Sequence, residues 1–190
     1  MMLSAVYLSA YYAACAPQIG RSTIAAIVQV ESGGDPWAIN DNTGKRRWKA
    51  RSYAEAVAIA QTLVRLGHSV DMGLAQVNSR NLAHVGMSVR EVFEPCRNLR
   101  AAARILDDCY IPAANRFGPG QRALLHALGC YNTGSLYAGK GYVGRVLAAA
   151  GAARGLRNLA HAELRGATPR AWISREPVVR WKVKSDWRVF

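Results

Sequence analysis

Glycine, proline and asparagine interrupt the apolar pattern of this 190-residue chain so often that no periodic stretch outlasts a short helix. Leu3, Val6, Tyr7 and Ala10 recur at helical spacing before the break at Pro17. Ile24, Ile27, Val28 and Glu31 share one face of a second helix, with Ser22 as its expected cap and Gly33-Gly34 as its stop. Further helices are predicted over Tyr53–Leu66, as a short turn after the Ser88-Val89-Arg90-Glu91 capping box, over Asn98–Asn115, over Gln121–Cys130 and over Gly141–Ala153. Period-two alternation does not stand out anywhere in this region, so the sequence predicts an all-α domain over residues 1–155.

The last segment has a different rhythm. Val179, Trp181, Val183, Trp187 and Val189 alternate with Arg180, Lys182, Lys184, Asp186 and Arg188, the period of a strand. A lone strand is not stable in water. Residues 156–190 are therefore expected to form a short basic C-terminal extension that is flexible, folds back on the domain or completes a partner's sheet.

Half the residues are apolar and 19% are charged, a balance that supports a buried core and argues against disorder throughout. No apolar run reaches the roughly 18–20 residues of a membrane helix, so a soluble chain without a membrane span is expected. Met1–Ala14 lacks the basic start of a signal peptide and reads as a first helix of the fold, which leaves the route of export open. The net charge of +13 suits an anionic polymer, but the arginines are scattered from Arg21 to Arg188. Only Lys45-Arg46-Arg47 with Lys49 and Arg51 forms a tight group, which disfavours a nucleic-acid partner.

Cys15, Cys96, Cys109 and Cys130 contain no CxxC spacing, so no metal site is expected. Two disulfides in an oxidising compartment fit the even count; four reduced core thiols are the alternative. Cys109 lies 8 residues before Phe117 and Cys130 lies 10 after Gly120, on helices flanking one turn. At 1.5 Å per residue their heights differ by about 3 Å, which favours Cys109–Cys130 and leaves Cys15–Cys96.

Three short segments carry the chemistry: Glu31-Ser32-Gly33-Gly34 with Ala38-Ile39-Asn40; Gly73-Leu74-Ala75-Gln76-Val77-Asn78; and Tyr131-Asn132-Thr133-Gly134. Glu31 ends a helix, where unpaired carbonyls disfavour a negative charge, and it follows an apolar face. Both effects raise a carboxyl pKa, as a general acid working near neutral pH requires. Gly73 allows a close backbone approach and Leu74 anchors the loop. Gln76 and Asn78 point their amides the same way if the segment is extended, and Asn40 adds another. Amides offer both donor and acceptor to a sugar bearing N-acetyl groups. No second carboxylate is tied to a motif; Asp35, Asp41 and Asp71 are the nearest in sequence.

In this order and spacing the three segments resemble the catalytic domain of soluble lytic transglycosylases, which share the goose-type lysozyme fold. The resemblance covers about Cys15–Ala150. Cys15-Ala16-Pro17, the Arg51–Gly67 helix and Pro95-Cys96-Arg97-Asn98 are similar to the wall-degrading subunit of type IV secretion and conjugation systems. It implies a lysozyme-like helical domain that cleaves the MurNAc-GlcNAc β-1,4 bond of peptidoglycan and closes a 1,6-anhydroMurNAc ring. It also implies Glu31 as the catalytic acid, with Ser32, Asn40, Gly73, Leu74, Gln76, Asn78, Tyr131 and Asn132 around the saccharide and Tyr131 beside the acid. No cofactor is implied, the compartment is the periplasm, and the partners are glycan strands and secretion components reached through the tail. A hydrolytic goose-type lysozyme and a wall-binding scaffold of a secretion complex are the competing readings.

Overall fold

The computed structural model describes residues 11–151. The strand-patterned tail, and most of the expected first helix, lie outside them; residues 11–15 are helical. Five longer helices follow: α1 (Arg21–Glu31), α2 (Tyr53–Arg65), α3 (Pro95–Phe117), α4 (Gln121–Thr133) and α5 (Lys140–Ala149). Single turns of 3₁₀ helix occupy Ser79–Asn81 and Glu91–Phe93. Among the described residues no helix is long and apolar enough to cross a membrane.

The sequence cues act locally as physical chemistry requires, with one exception. Ser52 caps α2 by accepting from the Glu55 N–H at 3.2 Å. Ser88 and Glu91 close their capping box, the carboxylate accepting from the Ser88 N–H at 2.8 Å. Ser22, by contrast, lies inside α1. That helix starts at Arg21 after Gly20, which has no side chain with which to cap.

The expectation of an all-α domain is corrected by a four-stranded antiparallel sheet: β1 (Ala38–Asp41), β2 (Arg46–Lys49), β3 (Val70–Met72) and β4 (Val77–Asn78), in the order β2-β1-β3-β4. Its strands are two to four residues long, too short for alternation to register in the sequence. The alternation exists nonetheless. Trp48, Ile39, Met72 and Val77 face one another across the sheet, and the last three are buried. Arg47, Asn40, Asp71 and Asn78 form the neighbouring row, which leaves from the opposite face. Asp41 turns the β1–β2 hairpin by accepting from the Thr43 and Gly44 N–H groups.

α1 packs on α5, α3 on α4, and α4 on α5. Between them Ile24, Ile27, Leu99, Leu106, Leu124 and Leu128 are fully buried. Two disulfides staple this core: Cys15–Cys96 with Cα atoms 5.2 Å apart, and Cys109–Cys130 at 5.8 Å. The second closes 21 residues across the α3–α4 hairpin. Loop-closure entropy for that length is worth about 3.3 kcal/mol. A Cys109→Ser/Cys130→Ser variant should therefore unfold at clearly lower denaturant, with a slope no shallower than wild type because the uncrosslinked unfolded chain exposes more surface, and an unmoved midpoint would reject this contribution.

Candidate active site

Glu31 is the last residue of α1, at the wall of an open cleft of about 650 Å³. Burial pushes its carboxyl up to about 7. The Tyr142 hydroxyl opposes that shift, the Asp71 charge adds to it, and Arg145 and Arg47 oppose it. At neutral pH the group therefore stands near half-protonation, able both to donate a proton and to take one back.

The Ser32 hydroxyl is engaged with backbone. It donates to the Leu74 carbonyl at 2.7 Å and accepts from the Gly34 N–H at 3.1 Å, tying the end of α1 to the β3–β4 turn. Gly73 has a positive φ of 76°, and a Cβ there would run into the Asn98 amide and the Val92 carbonyl. Leu74 is fully buried and anchors the turn from below. Gln76 departs from the extended reading. Its φ is +49°, and its amide donates to the Ala38 carbonyl at 3.1 Å and the Gly73 carbonyl at 2.9 Å. Gln76 and Asn78 thus do not project as neighbours on one extended strand, although both line the cleft.

The turn is held from beneath by Asn98 on α3, a buried side chain. It donates to the Met72 and Val92 carbonyls at 2.9 and 2.8 Å and accepts from the Ala75 N–H at 2.8 Å. Its amide is thereby fully engaged with backbone. The Ala75 carbonyl in turn accepts from the Tyr131 hydroxyl at 2.7 Å. α4 thus carries Tyr131 and Asn132 to the cleft wall, with the Cys109–Cys130 bond beside them.

The cleft and its acid also meet residues that the motifs do not single out, Tyr142 and Asp71 among them. Tyr142 of α5 is buried, with its ring near-parallel to that of Tyr131 at 6.4 Å between centroids. Its hydroxyl closes no hydrogen bond of regular geometry, yet it lies close enough to Glu31 for each to shift the other's titration. Burial, and then the Glu31 charge, push both phenols above their ordinary range, so they remain neutral donors. No local signal marks Tyr142, because the packing of α5 on α1 and α4 is what brings it in.

Asp71 is the second. Of the three aspartates near the motifs in sequence, Asp35 accepts from the Trp37 N–H and Asp41 serves its hairpin turn and His68. Asp71 alone of the three lines the cleft. Amides hold its carboxylate: Asn78 at 2.6 Å, Asn42 at 2.7 Å and Asn40 at 3.3 Å. Asn40 therefore serves the carboxylate from the neighbouring strand.

A partly buried acid that is still about half-protonated at neutral pH, beside neutral phenols and amides in an open trough, is equipped for acid-catalysed cleavage of a polar polymer. The transglycosylase SLT domain matches residues 9–151, and the chain belongs to that family. It is 40% identical over 144 residues to the type IV secretion system protein virB1 of Brucella suis biovar 1 (strain 1330), covering 72% of this chain and 60% of the relative. It is 38% identical over 138 residues to protein virB1 of Agrobacterium fabrum (strain C58 / ATCC 33970), covering 72% and 56%. The match thus spans less than two thirds of those relatives' length. No solved structure matches the chain.

Proposed function

We propose that this domain is a peptidoglycan lytic transglycosylase. It would cleave the MurNAc-GlcNAc β-1,4 bond in the periplasm and open the wall for a type IV secretion or conjugation apparatus. The observation that carries the reading is the Glu31 carboxyl, held near 7 by burial at the wall of an open polar cleft. Family membership and the names of the virB1 relatives support the substrate and the setting.

In the proposed reaction Glu31 donates its proton to the glycosidic oxygen as the C1–O bond breaks, and positive charge develops on the muramyl ring. The substrate's own N-acetyl group assists departure. The Glu31 carboxylate then takes the proton of the C6 hydroxyl, whose oxygen closes onto C1 to give the 1,6-anhydro ring. Atoms balance without water: one glycosidic bond is exchanged for another, and the proton that left Glu31 is returned. Gln76, Asn78 and Asn132 would contact the sugar's polar groups, while Ser32, Asn40, Gly73 and Leu74 shape the wall behind them. Tyr131 and Tyr142 would keep the acid's surroundings neutral. Secretion components are the proposed partners of residues 156–190.

Asp71 favours a second reading, a goose-type hydrolase in which this carboxylate activates a water. The products decide between them. Mass spectrometry of muropeptides released from sacculi should show 1,6-anhydro ends. Reducing ends would instead assign the reaction to hydrolysis and Asp71 to the base.

A further inference from the structure

We infer that the cleft-side face of the edge strand β2, with Arg47 and Lys49, is a specificity site for the acidic peptide that peptidoglycan carries on its lactyl arms. The inference rests on the glycan-cleaving reading of Glu31 and adds to it which part of the substrate lies beyond the sugar.

The placement follows from register. Arg47 stands opposite Asn40, Asn40 opposite Asp71, and Asp71 opposite Asn78, so all four side chains leave the same face of the sheet. Asp71 and Asn78 line the cleft, which makes this the cleft's face. Two strand spacings put the Arg47 backbone about 10 Å beyond that of Asp71, at the open edge. Lys49 is two residues further along β2 and leaves on the same side. The charge of Arg47 is felt at Glu31, which agrees with this direction.

The two faces of β2 are used differently. Arg46, on the other face, stacks over Trp48 at 3.8 Å from the ring centroid. Arg47 and Lys49 are exposed, and neither joins an ion pair among the described residues. The sugars of a MurNAc-GlcNAc strand carry no anionic group where the lactyl carboxyl is amidated. The strand's carboxylates lie in the peptide that this amide attaches. Cations beside a muramyl-cleaving acid therefore have their counterpart in the peptide, and a guanidinium can grip a carboxylate with two parallel hydrogen bonds. Edge strands also carry cations simply to block pairing with another sheet. That role requires no peptide and predicts no substrate preference.

The test compares two substrates cleaved by the full chain: glycan strands with their peptides, and the same strands stripped by an amidase and then capped as methyl amides at the lactyl carboxyls that this frees. Wild type should cleave the peptide-bearing strands with about tenfold higher kcat/KM, mostly through KM, as one charge-assisted hydrogen bond allows. The preference should shrink with added salt. In the Arg47→Gln/Lys49→Gln variant the ratio of the two efficiencies should fall toward one. A wild type without preference, or a variant that keeps the wild-type ratio, overturns the proposal. If neither strand is cleaved, the glycan reading has failed, and calorimetric titration with free stem peptide decides the site by itself. Binding that the double variant loses upholds it; no binding, or equal binding, overturns it.

Discussion

Replacing Glu31 by glutamine should abolish glycan cleavage and, above neutral pH, make the fold more stable. The amide keeps the volume and removes the proton that the leaving oxygen needs, a loss of about 10²–10⁴-fold from acid catalysis alone. Near wild-type clearance of sacculi by Glu31→Gln would end the assignment. The stability effect follows from linkage. The carboxyl has an ordinary value of 4.5 and is raised to about 7 in the folded chain, so folding favours its protonated form. Wild type gains from this group below about pH 4.5 and loses that gain as pH rises through about 7. Glutamine cannot ionise and loses nothing. At pH 8 the variant should be more stable by on the order of 2–3 kcal/mol, and the difference should close on acidification toward pH 4.5. Melting curves of both proteins across that range test the sign. A gap that does not change with pH would mean that burial does not hold the Glu31 carboxyl up.

Asn98→Ala should be nearly as damaging, by a different route. It leaves the Ala75 N–H and the Met72 and Val92 carbonyls without their partner inside the core. Each stranded buried group costs about 1–3 kcal/mol, so a loss on the order of 3–6 kcal/mol is expected. The melting midpoint should fall by roughly 10 °C or more. Activity should fall in the fraction that remains folded, because the turn that Asn98 carries also receives the Ser32 and Tyr131 hydroxyls. A variant melting within about 2 °C of wild type would show that water or a shifted backbone replaces the amide.

Glu31 and Asn98 also differ in how they could be read. The position of Glu31 at a helix end was legible because a helix is built from contacts three and four residues apart, so its periodicity, its glycine stop and its last residue are written locally. The sheet was not legible. Ala38–Asp41 and Arg46–Lys49 alternate between the two faces, but four residues cannot distinguish a strand from a turn. The Asn42-Thr43-Gly44-Lys45 run between them was the available sign of a hairpin. The condition of an extended segment fails at Gln76, whose left-handed backbone goes with an amide bonded to two carbonyls, one of them far away in sequence at Ala38.

Sequence alone determined where the helices run, where the glycine-led turn lies, and that an acid ends a helix after an apolar face. Tertiary structure decided which polar groups meet that acid. Tyr142 comes from α5, Asp71 from β3, and the amide beneath the turn from α3. The physical reason is range. Helix formation closes bonds within four residues, whereas the cleft's field is a sum over charges and dipoles that only the packing of α1, α5 and the sheet gathers around one carboxyl.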